Sequence, residues 1–159
     1  MQEVDDLRVC DATGQYVLAT WRRVMVVIWK GVATAEGIER SRQVMDVWAR
    51  RHKEGVMVLV VMPAALPRPP SEEARAAMLR ATQGAKANLK GIAMVYGGSG
   101  FVLAAIRGVT AARSLIDRSR IPTRIFANVA EAAPWISQCV GPDHTANGLV
   151  EAVDRAARA

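Results

Sequence analysis

The sequence predicts an α/β protein, a central sheet with helices packed on it, on three observations. Short apolar segments, among them Val56–Met62, Ile92–Tyr96 and Arg124–Ala127, alternate with segments of helical periodicity, which is the pattern of a sheet covered by helices. The chain of 159 residues is 51% hydrophobic, enough for one packed core that buries roughly two thirds of the unfolded surface. It has only two histidines and two cysteines, with no recognisable nucleophile motif, so catalysis is not expected of it.

Taken in order, Leu7–Ala12 reads as a first strand and Thr13-Gly14-Gln15 as a turn. Tyr16–Trp21 and Val24–Lys30 then form a hairpin, although Arg22-Arg23 is a poor match for a tight primed turn, which favours Asn or Gly. Thr34 is the expected N-cap of a helix from about Ala35 to Lys53, with Glu36 near its positive end. Ile38, Ser41, Met45, Trp48, Ala49 and His52 make its inner stripe, and Gly55 suits the left-handed position that follows it.

After the strand Val56–Met62, four prolines between Pro63 and Pro70 forbid a helix and favour an extended loop. Ser71 with Glu72-Glu73 starts a second helix expected to reach about Leu89, stopped by Gly91 before Ile92–Tyr96. Gly97-Gly98-Ser99-Gly100 opens a third, with Phe101, Ala105, Val109, Ala112 and Ile116 inward. Arg124–Ala127 is the last strand, Asn128 caps the helix Val129–Ser137, and Thr145–Arg158 is an alanine-rich terminal helix.

A net charge of +6 is a balance that attracts nucleic acid, anionic lipid or an acidic protein. Met1–Asp6 is acidic and lacks the features of a secretory signal, and no apolar run approaches the ~20 residues that span a bilayer. The longest such run, Val24–Trp29, suits a buried strand, and the expected location is the cytoplasm. Cys10 and Cys139 show no metal or redox spacing and read as small hydrophobes.

Three segments carry a family resemblance: Val27-Ile28-Trp29-Lys30-Gly31-Val32-Ala33-Thr34, Gly100-Phe101-Val102-Leu103-Ala104-Ala105-Ile106-Arg107, and Phe126 through Ile136 with its Glu131-Ala132 before Trp135. Together they resemble the STAS fold of anti-sigma-factor antagonists, and more specifically the divergent SpoIIAA-like domains of bacteria, over residues 5 to 140. The resemblance implies a mixed β-sheet of four to five strands with helices packed mainly on one face, residues 1–140 as the domain and 141–159 as a C-terminal helical extension. It also implies a binding or regulatory role in place of catalysis. From the residues, His52 on the inner stripe of the first helix and His144 in a polar loop, with distant cysteines, give no metal-site pattern, and no cofactor is expected. Antagonists of this family carry a phosphorylatable serine in an Asp-Ser-Ser-Gly-like segment. The corresponding stretch here, Met62–Ser71, lacks that motif, so Ser71 reads first as an ordinary helix cap and only secondarily as a candidate phosphosite.

Two further sites compete with plainer explanations. Arg75, Arg80, Lys86 and Lys90 project from the apolar stripe of the second helix, three of them (Arg75, Lys86 and Lys90) within about 60° at ~100° per residue. They make a partner-binding face or a solvated one. Gly97, Gly98, Ser99 and Gly100 follow a strand and precede a helix, the setting for a bound anion, but match neither common phosphate-loop spacing and also suit a tight turn. The dispersed cluster Arg107, Arg113, Arg118, Arg120 and Arg124 has no aromatic residues beside it, which disfavours nucleic acid.

The leading expectation is a non-enzymatic regulatory or adaptor protein. One alternative is a carrier of a small apolar or anionic ligand held between helices and sheet, with Gly97–Gly100 at the mouth. The other is a self-assembling subunit anchored by one of Trp21, Trp29, Trp48 and Trp135.

Overall fold

The computed structural model describes residues 6–63, 71–84, 88–96 and 121–159. The third helix expected after Gly100 and most of the proline-rich loop lie outside the described residues.

Six strands form one sheet in the order β1 (Leu7–Ala12), β2 (Tyr16–Trp21), β3 (Val24–Trp29), β4 (Val56–Met62), β5 (Leu89–Tyr96) and β6 (Thr123–Phe126). The first three are antiparallel neighbours, and β3 to β6 run parallel. The sheet is therefore mixed, as expected. The four to five strands implied by the family resemblance are too few, because Leu7–Ala12 at one end of the sheet and the short Thr123–Phe126 at the other both pair as full members.

α1 (Ala35–Ala49) links β3 to β4, and α2 (Glu72–Gly84) links β4 to β5. Both crossovers step the same way across the sheet, and with one hand of connection they fall on the same face. α3 (Val129–Val140) and α4 (Ala146–Ala157) cover the other. The expectation of helices mainly on one face is thus corrected to two helical layers, and the sequence of β2 to β4 gives the reason. Every position of β2 and β3 is buried, so neither face of the sheet's centre tolerates water.

The two cores follow the alternation of the strands. Tyr16, Leu18, Met25, Val27, Trp29, Val56 and Val58 pack with Ile38 and Met45 of α1 and with Ala74 and Ala77 of α2. Val17, Ala19, Trp21, Val24, Val26, Ile28, Met57 and Leu59 pack with Ala133, Trp135 and Ile136 of α3 and with Leu149, Ala152, Val153 and Ala156 of α4. The terminal helix is a working part of this second core.

Local signals hold at most helix starts. Thr34 accepts from the Gly37 amide at 3.2 Å, Asn128 from Glu131 at 2.9 Å, and Thr145 from Gly148 at 3.1 Å. α1 ends at Ala49, four residues short of the expected Lys53, because Arg51, His52 and Gly55 turn back in three-residue turns, and Gly55 takes φ 102.

The clearest departure is at the second helix. α2 stops at Gly84 and Leu89 already belongs to β5, so Gly91 lies within a strand, opposite Met57. A Cβ there would sit 2.9 Å from the Trp135 ring and 3.1 Å from Met57 Cε. Gly91 therefore admits the α3 tryptophan to the sheet and does not end a helix.

β1 is an edge strand, and its register shifts between Val9 and Asp11, leaving Cys10 as the bulged residue. β2 and β3 join through Arg22-Arg23 alone, with Arg22 at φ 52.

If α4 is part of the core, Leu149→Ala should lower stability by about 2–4 kcal/mol in urea unfolding. A loss below about 1 kcal/mol would mean that the helix is only loosely docked.

Candidate functional site

Three surfaces gather functional side chains: the outer side of α2, the tip of the β2–β3 hairpin, and a groove between α1 and β1.

On α2, Ser71 accepts from the Ala74 amide at 3.1 Å and its carbonyl accepts from Arg75 at 3.0 Å, which is a helix cap. Glu72 and Glu73 fill the first turn and are exposed. Ala74 and Ala77 face the core, which turns Arg75, Leu79 and Arg80 outward, Leu79 at 50% exposure. Lys90 does not extend this face: it stands on β5, its aliphatic chain lying across Gly55, where a Cβ would collide with Lys90 Cε. Lys86 and Gly97–Gly100 lie outside the described residues.

Beside α2, α1 carries an ion-pair ladder. Arg42 reaches Glu39 at 2.5 Å and Asp46 at 2.7 Å. Hydrogen bonding from Arg42 holds the Glu39 carboxyl below its usual range, with Arg80 adding to the same field, and the Glu39 bond raises Arg42 in return.

At the hairpin tip, His144 is 1% exposed, although its sequence neighbourhood reads as a polar loop. The Arg23 amide donates to its Nε2 at 3.3 Å, so Nδ1 carries the ring proton and donates to the Gly141 carbonyl at 3.1 Å. Trp21 packs edge-on to the ring, centroids 5.6 Å apart. The Arg23 guanidinium donates to the carbonyls of Glu54 at 3.3 Å, Gly55 at 3.2 Å and Val140. Arg22 donates to the Asp143 carbonyl, lies 3.4 Å from the carboxylates of Asp6 and Asp143, and covers the Trp21 ring at 5.2 Å. Two arginines that the sequence marks as a poor turn are thereby clamped to the start of β4 and to the loop between α3 and α4.

The groove, about 770 Å³, was not anticipated from the sequence. Its α1 wall is a second helical stripe, Arg40, Gln43, Val44 and Val47, at spacings of three and four, with Trp48 beside it and with Arg51 and His52 in the turns just past the helix end. Its other wall is Arg8 and Cys10 of β1, with Thr20 of β2 and the Arg22-Arg23 turn. Arg40 pairs with Asp11 at 3.1 Å. His52 packs on Trp48 with ring centroids 5.1 Å apart and lies 3.5 Å from Glu54, whose carboxyl is held low first by its own backbone amide. The stripe was legible in principle, but reading α1 for one inner face alone passes over it.

Of the four tryptophans, Trp21, Trp29 and Trp135 are buried and Trp48 is half-buried at the groove, so three of the four proposed aromatic anchors are core residues. Among the described residues no helix is long and apolar enough to cross a membrane. Comparison with models of protein families, with curated proteins and with solved structures finds no match.

His144→Ala removes the acceptor of the Arg23 amide and opens a cavity beside Trp21, and should cost about 2–4 kcal/mol in urea unfolding. Loss of less than about 0.5 kcal/mol would show that the ring is replaceable there. Burial also pushes the Tyr96 hydroxyl above its ordinary pKa of 10.0. The folded state favours the neutral phenol, so its contribution is complete below the unfolded pKa and is lost as pH rises through the folded one. Thermal melts from about pH 8 to pH 11 should fall less steeply for Tyr96→Phe than for the parent chain. Parallel curves would exclude Tyr96 as a source of alkaline instability.

Proposed function

We propose that the protein is a non-enzymatic regulatory or adaptor protein of the cytoplasm, similar to STAS and SpoIIAA-like domains, that acts by contact with another protein through the outer side of α2. The observation that carries this reading is the arrangement of Arg75, Leu79 and Arg80. At about 100° per residue Leu79 falls between the two arginines around the helix, an apolar centre with a cation on each side. Arginine is the charged residue most at home in protein interfaces, and no acid follows Glu73 on this helix, the carboxylate in the field of Arg80 being Glu39 of α1. A partner with an acidic rim around an apolar socket fits that pattern. Cys10 and Cys139 are free thiols, which accords with a reducing compartment. Ser71 serves this reading as the cap that orders the first turn, with phosphorylation there a further means of control.

A photo-crosslinking residue in place of Ala76, exposed on α2, should capture a protein in the native host, while the same residue in place of Glu151, exposed on α4, should not. Arg75→Glu with Arg80→Glu should abolish the capture while shifting stability by less than about 1 kcal/mol, because both side chains are exposed. Equal capture from both helices, or capture that survives the double reversal, would remove α2 from the mechanism.

A further inference from the structure

We propose that the groove between β1 and α1 is a binding site for a small organic anion with an aromatic or apolar body. The site shares no residue with the α2 contact and does not rest on it. Its volume of about 770 Å³ falls in the roughly 300–1,000 Å³ range of small-molecule sites.

The case rests on how the charges inside the groove are compensated. Arg22 is held by Asp6 and Asp143, Arg40 by Asp11, and Arg23 by three backbone carbonyls. Arg8 and Arg51 make no ion pair among the described residues, and both are exposed. Arg8 stands on β1 and Arg51 in the turn just past the end of α1, on opposite walls of the groove, so an anion lying between them can take both guanidiniums. The two carboxylates that line the groove already have partners, Asp6 in Arg22 and Glu54 beside His52.

Between the cationic groups, the α1 wall is apolar. Val47 is 58% exposed and stands one turn from Val44 and next to Trp48, whose ring lies against His52. An exposed valine and a half-buried indole bordered by arginines suit a ligand with a flat apolar body and an acidic group, whereas a bare inorganic anion would leave that wall unused.

Two fluorescent probes separate charge recognition from apolar recognition: 8-anilinonaphthalene-1-sulfonate and its uncharged analogue N-phenyl-1-naphthylamine. The sulfonate should bind the full chain saturably with one site and slow alkylation of Cys10, which lines the groove, while leaving Cys139, in the opposite core, unchanged. Arg8→Glu with Arg51→Glu should weaken it roughly tenfold or more. The uncharged analogue should neither saturate nor protect Cys10. Equal binding of the uncharged probe, an unchanged Cys10 rate, or full sulfonate affinity in the double variant would each overturn the proposal. Should the charge reversal disturb folding, Arg8→Gln with Arg51→Gln puts the same question without introducing negative charge.

Discussion

Every position of β2 and β3 is buried, with β2 in the middle of the antiparallel half of the sheet and β3 where that half meets the parallel strands. A strand whose side chains alternate between two faces, all of them buried and nearly all apolar (Thr20 is the exception), requires a dry layer above and another below. The rest of the architecture follows from that requirement. α1 and α2 cover one face as they carry the chain from β3 to β4 and on to β5. With one hand of crossover available to them, neither reaches the other face. That task falls to α3 and α4, which explains why the last helix, despite its many alanines, places Leu149, Ala152, Val153 and Ala156 in the core. Alanines there let the helix approach the sheet closely.

The second constraint is the β2–β3 turn. Arg22 occupies the left-handed region, where a residue with a Cβ carries a penalty that the surroundings must offset. The surroundings do so with the buried His144, the Asp143 and Val140 carbonyls and the Trp21 ring. All of these partners but Trp21 come from the C-terminal third of the chain. The turn consequently reaches its final geometry only when α3 and α4 are in place, so the two ends of the sequence are stabilised together.

Much of this was legible from residues alone. All six strands announce themselves as short apolar or alternating runs, and Thr34, Ser71 and Asn128 cap the helices that they precede. The resemblance implied four to five strands, whereas the residues themselves mark all six. Lys90 and Gly91 were misjudged. A glycine after an alanine-rich helix reads as a stop, and the true cause, close approach of the Trp135 ring, comes from a residue 44 positions further on. His144 reads as a polar-loop residue for the same reason: its neighbours in sequence are polar, and the indole and amide that bury it lie 121 or more residues away. Of the basic face expected on α2, Arg75 and Arg80 share the helix while Lys90 sits on a strand, since the helical angle used to group them holds only while the helix continues.

The bulge at Cys10 has a bearing on how the molecule behaves in crowded solution. A regular edge strand offers its free amides and carbonyls in a row that any other extended chain can match. Where two residues of β1 oppose one of β2, that row is broken and the strand bends, so an incoming chain finds no continuous register to copy. The opposite edge, β6, is only four residues long, too short to seed a lasting ladder. A sheet this rich in valine, isoleucine and methionine is the kind that would otherwise grow by adding neighbours, and it is kept finite at both margins by an interruption on one side and brevity on the other.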